Sequence, residues 1–392
     1  MRRVWGLLLA VVLAIVWPAD LPAQAAPPGI RTGAEAAALI DVTSGRLLVT
    51  VRGDKPMRIA SLTKIMTAIV AIEHGKLSDM AKVSKNAFGK EGSSIYLKLN
   101  EEMNLKDLLY GLMLRSGNDA AVTIAEHVGG SVEGFAYLMN EKARMIGMTN
   151  SSFKNPSGLD EEGHFSTAND MAKLTAYALR NPVFQEIVRT KVKKVPNPNE
   201  SWNYTWLNKN KMLTLYEGAD GVKTGYTKLA KRCLVSSATR GGQQVAVVTL
   251  NDPNDWLDHS RLLDYGFQYY PLQTLVRRGE VIDGTAFAAE VDLRYPASED
   301  EVGKFTKERV LNDPASTEFR LGTAGRLDFK LGGKLIGTVP LVPADSPRLS
   351  VAGSRNPALA SALTSNWSLS DKWLYILRAF TRVMFTGQAE AE

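Results

Sequence analysis

The succession of strand-like and helix-like stretches constrains this 392-residue chain more than any single residue does. Apolar stretches at 36–41 and 46–52 flank Thr43-Ser44-Gly45, which predicts two strands joined by a tight turn. From Ser61 to about Leu179 the pattern is helical, as at 105–114, 120–128 and 132–145, with Gly129-Gly130 and Gly147 as stops. Strand patterns return at 221–224, 233–239 and 243–250, and Gly241-Gly242 is a hairpin signal between the last two. Asp252-Pro253 then opens a helix running to about Tyr265. Strands, a helical block, strands again and a closing helix predict an α/β chain of the α+β kind, a sheet with helices packed against it.

The helical block opens on Ser61-Leu62-Thr63-Lys64, directly ahead of the apolar run 65–72. Residues three apart in a helix share a face, so this spacing sets a Lys amine beside a Ser hydroxyl. The pair lies at the helix end where backbone N–H groups are unpaired and the dipole is positive. A free Ser is a poor nucleophile, and a neutral Lys within hydrogen-bond reach can serve as its base. S-x-x-K alone matches many solvated helix turns by chance. It gains weight from Ser116-Gly117-Asn118, which alone is an ordinary turn tripeptide, and from Lys223-Thr224-Gly225, which alone is compatible with an exposed strand end.

The three segments, in this order, resemble the S-x-x-K, S-D-N and K-T-G set of class A β-lactamases and penicillin-binding proteins. With Ser-Gly-Asn in the middle, the chain resembles the low-molecular-mass penicillin-binding proteins, the S11-type D-alanyl-D-alanine carboxypeptidases. The likeness extends through Gly111-Leu-Met-Leu-Arg-Ser-Gly-Asn-Asp-Ala-Ala121, Phe153-Lys-Asn-Pro-Ser-Gly-Leu-Asp160, Gly163-His164, Ser166-Thr167-Ala168 and Gly218-Ala-Asp-Gly-Val-Lys-Thr-Gly-Tyr-Thr227, and covers roughly 36–266. It implies a β-lactamase/transpeptidase-like fold, an antiparallel sheet beside an all-helical lobe with the active site between them. It also implies a serine-type enzyme that removes the terminal D-Ala from peptidoglycan stem pentapeptides through an acyl-enzyme, and that β-lactams acylate.

On that resemblance Ser61 is the nucleophile and Lys64 its general base, with Ser116 the second base candidate as a proton relay to the leaving amine; the two roles stay open. A free Lys titrates near about 10.4, so Lys64 needs desolvation, the helix N-terminus and a second ammonium on Lys223 to lower its pKa. Asn118 offers an amide to both Lys64 and a substrate carbonyl. Lys223 and Thr224 would meet the substrate's terminal carboxylate, Gly225 would let substrate lie against its strand, and the backbone N–H groups of Ser61 and Tyr226 would form the oxyanion hole. Asn155 and Ser157 are expected at the cleft floor, and Arg240 is a further candidate for the carboxylate. No cofactor and no metal is implied: His74, His127, His164 and His259 are scattered without metal-ligand spacing.

Two rival functions are open to the same residues. A class A β-lactamase deacylates with a Glu in an E-x-x-L-N segment; the nearest match, Tyr204-Thr-Trp-Leu-Asn208, carries Tyr in its place, while Asp160, Glu161 and Glu162 keep a carboxylate in contention. A penicillin-binding sensor or scaffold with little turnover is the other.

The ends and the composition place the chain. Arg2-Arg3, the apolar run 4–17 and Ala23-Gln24-Ala25 predict a signal peptide over 1–25, and hence export. A retained anchor would need roughly 20 apolar residues. The formal charge of +6 suits an anionic cell surface, but no Lys/Arg cluster interleaved with aromatics marks a nucleic-acid partner. Cys233, the single cysteine, is expected to be buried in a strand. Residues 26–271 read as the catalytic domain, and 272–345, with short apolar alternations cut by Gly, as a small all-β domain. Residues 346–365 read as a linker rich in Pro, Ser and Ala. In 366–392, Trp373, Leu374, Leu377, Phe380 and Met384 recur at helical spacing opposite Lys372, Arg378 and Arg382. That pattern predicts an amphipathic tail lying on the outer face of the cytoplasmic membrane, with docking on the β-domain as the alternative.

Overall fold

The computed structural model describes residues 26–350. The expected signal peptide, most of the linker and the amphipathic tail lie outside the described residues. The described residues divide into two units, one formed by 26–273 together with 294–305, the other by 274–293 and 306–350.

The first unit is built on a five-stranded sheet. Its strands are β1 (Ala36–Asp41), β2 (Leu47–Val51), β7 (Ala219–Thr227), β8 (Lys231–Arg240) and β9 (Gln243–Leu250), in the order β2-β1-β9-β8-β7; the numbers between belong to short hairpin strands. Each neighbouring pair is antiparallel. Side chains alternate across a strand, and here both faces are covered. Ala36, Ala38, Ile40, Val235, Ala246 and Val248 join a core shared with the helices, while Ala37, Leu39, Leu234, Val245 and Val247 join another with Leu262 and Leu263. The latter two belong to the closing helix Asp255–Tyr269. Gly241 and Gly242, both at positive φ, turn the chain between β8 and β9.

Helix α1 (Thr63–His74) is buried from Thr63 to Ala71, as an apolar run without a polar face must be. Packed around it are α2 (Leu105–Tyr110), α3 (Asn118–Gly129), α4 (Val132–Ile146), α5 (Ala168–Ala178) and α6 (Pro182–Arg189). The glycine stops act as expected: Gly130 and Gly147 sit in the left-handed region after α3 and α4. Hairpins β3/β4 (Met80–Lys82, Glu102–Asn104) and β5/β6 (Val192–Val195, Tyr204–Leu207) complete the unit. Between α2 and α3 the chain makes a π-helical turn, Gly111–Arg115, rather than continuing as α-helix.

The second unit carries a four-stranded sheet in the spatial order Phe287–Ala289, Lys334–Pro343, Gly325–Leu331, Phe305–Leu311. It has a core of its own, including Val276, Leu327, Phe329, Val339 and Leu341.

Candidate active site

The three short segments converge although they are far apart in sequence. Ser61 stands in a 3-10 turn, Ala60–Leu62, that feeds α1. Ala60 is held at φ +46, and Gly158, whose added Cβ would lie 1.9 Å from the Ala60 carbonyl oxygen, packs against it. Ser116 follows the π-helical turn in a left-handed conformation and is nearly buried. A π-turn inside a helix commonly marks a functional position. Asn118 begins α3, and Lys223-Thr224-Gly225 lies in β7, an edge strand of the sheet. Ser61, Ser93, Ser116, Lys209, Thr224 and Tyr226 border one cleft of ≈ 420 Å³.

Lys64 is completely buried. Its Nζ lies 3.1 Å from Ser61 Oγ, 2.7 Å from Asn118 Oδ1 and 2.6 Å from the Ser157 carbonyl oxygen. Asn118 Nδ2 donates to the Glu91 carbonyl at 2.6 Å, which fixes the amide so that its oxygen must face Lys64. Burial, then the charges of Lys223 and Lys209, hold the Lys64 pKa well below the ordinary lysine value, with Asp119 opposing. A neutral amine has two N–H groups and one lone pair. Asn118 Oδ1 and the Ser157 carbonyl can only accept, so they take the two N–H groups and the lone pair is left for Ser61 Oγ–H. That is the geometry of a general base. Ser116 takes no share in this hydrogen-bond set among the described residues.

Lys223 is also buried, and donates to the Thr224 carbonyl oxygen at 2.6 Å. Burial, and then Lys209, lower its pKa to about 7. Thr224, the next residue, borders the cleft. Gly225 has a steric reason to carry no Cβ besides the expected one. A Cβ there would sit 3.2 Å from Ser61 N and 3.3 Å from both the Ile59 carbonyl oxygen and Leu62 N. The missing side chain therefore admits the nucleophile's own turn, and brings the Ser61 amide beside the strand that continues to Tyr226.

Ser157 contributes its carbonyl, and Asn155 shapes the loop around it. Asn155 Oδ1 accepts from Ser157 N and Oγ and from Gly158 N. Arg240 is not at the site. It lies at the far end of β8, opposite Gln243, bonded to the Glu217 carbonyl and Asp264 and stacked on Tyr216. Leu234, which faces Thr224, is near the other end of that strand. Tyr204 points away from catalysis, its hydroxyl donating to Glu101 at 3.2 Å. Asp160 accepts from Thr227, and Glu161 from Asn155. His259 is buried against Ser236 and Thr249, and Cys233 is buried in β8 with its pKa pushed up to about 12. Among the described residues no group of His, Cys, Asp or Glu is arranged to hold a metal, and no helix is long and apolar enough to cross a membrane.

Three contributions go unassigned in the sequence, although Ser157 itself is expected at the cleft floor. The Ser157 carbonyl has no side-chain signature. Lys209 borders the cleft and donates to Ser93 Oγ at 3.2 Å. Asp119 holds the segment that follows Ser93 by accepting from Ser94 Oγ, Ile95 N and Leu97 N. Only the position of Asp119, directly after the Ser-Gly-Asn segment, offered a hint.

Comparison with known proteins bears on the family and the fold. The family model described as D-alanyl-D-alanine carboxypeptidase (Peptidase_S11) matches residues 22–254. D-alanyl-D-alanine carboxypeptidase DacF of Bacillus subtilis is 33% identical over 367 residues, covering 87% of this chain and 93% of the relative. Among solved structures, the carboxypeptidase DacD from Francisella tularensis superposes with a TM-score of 0.64 at 26% identity, over 83% of this chain and 96% of that one. Penicillin binding protein 5 from Haemophilus influenzae gives 0.66 at 26% identity, over 81% and 98%.

Proposed function

This chain belongs to the D-alanyl-D-alanine carboxypeptidase family, and from that premise we propose how its own residues carry out the reaction. It is a serine hydrolase that removes the terminal D-Ala from peptidoglycan stem peptides and is acylated by β-lactams. Lys64, as the free amine, takes the proton of Ser61 Oγ while Ser61 attacks the carbonyl of the D-Ala–D-Ala bond. The negative oxygen that develops is held by the N–H groups of Ser61 and Tyr226. The proton passes to the leaving D-Ala amine from Lys64, directly or through Ser116, and water then releases the acyl group. Thr224 and the positive field of Lys223 hold the substrate's terminal carboxylate, and Asn118 holds a peptide carbonyl.

The observation that carries this reading is the hydrogen-bond set of Lys64, two obligate acceptors and one hydroxyl around a buried amine. The experiment measures D-Ala released from a diacyl-D-Ala-D-Ala peptide, with intact-mass detection of the penicillin adduct. Wild type should release D-Ala and carry a long-lived adduct, since the segment nearest to the β-lactamase E-x-x-L-N motif, 204–208, has Tyr204 in place of the deacylating Glu. Ser61→Ala should do neither. Release or labelling that survives in Ser61→Ala would remove Ser61 from the role.

Action on peptidoglycan places the protein outside the cytoplasm. We further propose that residues 1–25 export it, that 26–271 form the catalytic domain and 272–345 a β-rich one, and that 366–392 rest on the outer face of the cytoplasmic membrane. The last point is supported by the sequence alone: Trp373, Phe380 and Met384 opposite Lys372, Arg378 and Arg382, beyond a Pro/Ser/Ala-rich stretch.

A further inference from the structure

We propose that His164 is a positioning residue for the acylation step, acting through Thr63 and the 154–158 loop to hold the Ser157 carbonyl on Lys64. The proposal rests on the roles assigned above to Ser61 and Lys64.

Thr63 lies between the nucleophile and its base. Its Oγ1 is 2.8 Å from His164 Nε2, inside the protein. The other ring nitrogen, Nδ1, accepts the backbone N–H of Lys154 at 3.1 Å. An imidazole nitrogen that accepts carries no proton, so the ring is neutral, Nε2 bears the hydrogen, and Nε2–H donates to Thr63. His164 thus bridges the first residue of α1 to the start of the loop whose carbonyl meets Lys64. Burial favours the neutral ring and lowers the His164 pKa to about 4, with the nearby Glu161 and Asp160 acting the other way and Arg58 and Lys154 adding to the lowering.

The remainder of that loop is tied down by other groups. Asn140 holds both backbone groups of Phe153. Thr67 Oγ1 donates to the Pro156 carbonyl at 2.6 Å. Asn155 orders Ser157 and Gly158. Phe153 also meets the His164 ring edge-on at 5.8 Å. These groups tie the loop to α4, to the next turn of α1 and to itself. His164 ties it to Thr63, one of the two residues that separate Ser61 from Lys64. Loss of this tie frees Lys154, lets the Ser157 carbonyl move off Lys64 Nζ, and leaves the lone pair without a fixed direction toward Ser61.

A misplacement of about 1 Å can cost roughly a hundredfold in rate, so a partial shift should cost about tenfold. The test measures the maximal acylation rate by a β-lactam and the concentration giving half that rate, with thermal unfolding as a control, for full-length His164→Ala, His164→Gln, Thr63→Val and the Thr63→Val/His164→Ala double variant. Expected are about tenfold lower maximal rates for His164→Ala and for Thr63→Val, half-saturation within about twofold of wild type, and a double variant no slower than the worse single one, since both break one bridge. His164→Gln, whose amide supplies an acceptor and a donor, should recover most of the rate. Wild-type acylation by Thr63→Val, effects that multiply in the double variant, or a loss lying wholly in half-saturation would each overturn the proposal. Thr63→Val nearly preserves shape, so it decides the matter even if His164→Ala does not fold. A failure here with Ser61 labelling intact would leave the catalytic reading standing.

Discussion

Gly225→Ala separates two physical accounts of one residue. The added Cβ would stand 3.2 Å from Ser61 N and 3.3 Å from the Ile59 carbonyl oxygen and Leu62 N. Comfortable contacts start near about 3.5 Å, so the turn carrying the nucleophile must retreat by roughly 0.3 Å. All three neighbours are backbone atoms and none can rotate away. Overpacking of this kind costs about 1–2 kcal/mol, and replacing Gly in a strand returns about 0.5–1 kcal/mol. Stability should therefore change by no more than about 1.5 kcal/mol, a Tm shift of roughly 4 °C. Catalysis should suffer more. On the scale of about a hundredfold per ångström, a shift of this size with some loss of alignment predicts a five- to tenfold slower acylation, about 1–1.4 kcal/mol in the barrier.

The assay follows covalent labelling by a β-lactam over time at several concentrations, using intact mass, beside a thermal melt. If the missing side chain serves the nucleophile's turn, the loss appears in the maximal rate. If it makes room for the substrate, as the sequence alone implied, the loss appears in half-saturation and the maximal rate is kept. Full acylation at wild-type half-saturation with an unchanged Tm would refute both accounts.

Lys64→Arg should abolish acylation nearly as completely as Lys64→Ala, because a guanidinium keeps its proton at any working pH; near-normal labelling would remove Lys64 as the base. In wild type the free-amine fraction of Lys64 grows as pH rises toward its lowered pKa, so acylation should climb on the acid side. Lys223, with its pKa lowered to about 7, loses its charge as pH rises through that value, and hold on the substrate carboxylate should weaken above it. Lys223→Arg keeps the charge and should remove that alkaline decline in kcat/KM; a decline of unchanged position would show that another group causes it. Deleting residues 366–392 should move the enzyme from the membrane fraction to the soluble one with activity on a soluble peptide retained, whereas a truncation that unfolds would support docking of the tail on the β-domain.

The elements legible in the sequence were those whose signal is local. Strand β9 matches its apolar run, Gly241-Gly242 makes the expected hairpin, and the glycine stops close α3 and α4, because alternation and positive φ act within a few residues. Hairpins β3/β4 and β5/β6 escaped notice: strands of three or four residues are too short to display a period, and their pairing depends on what lies beneath them. Residues 294–305 return to the first unit where Arg46 meets the Pro296 carbonyl and Glu301, a contact that no window around either segment contains. Arg240 stays a candidate in the sequence for a related reason. Its nearness to a strand end says nothing about which end of the ten-residue strand faces the cleft.

The same division runs through the site. Ser61 and Lys64 stand out by their spacing, and Ser116, Asn118 and Thr224 through the family resemblance of the three short segments. The condition that makes Lys64 a base leaves none. It requires two groups that only accept, and one of them is a backbone carbonyl, which every residue possesses. Ser157 is singled out because Gly158 allows the loop to press against Ala60, Asn155 folds the loop back on itself, and Thr67 pins Pro156. Sequence can state that Lys64 must be neutral. Which atom directs its lone pair depends on how a loop of α4's neighbourhood lies against α1, and that is decided by packing.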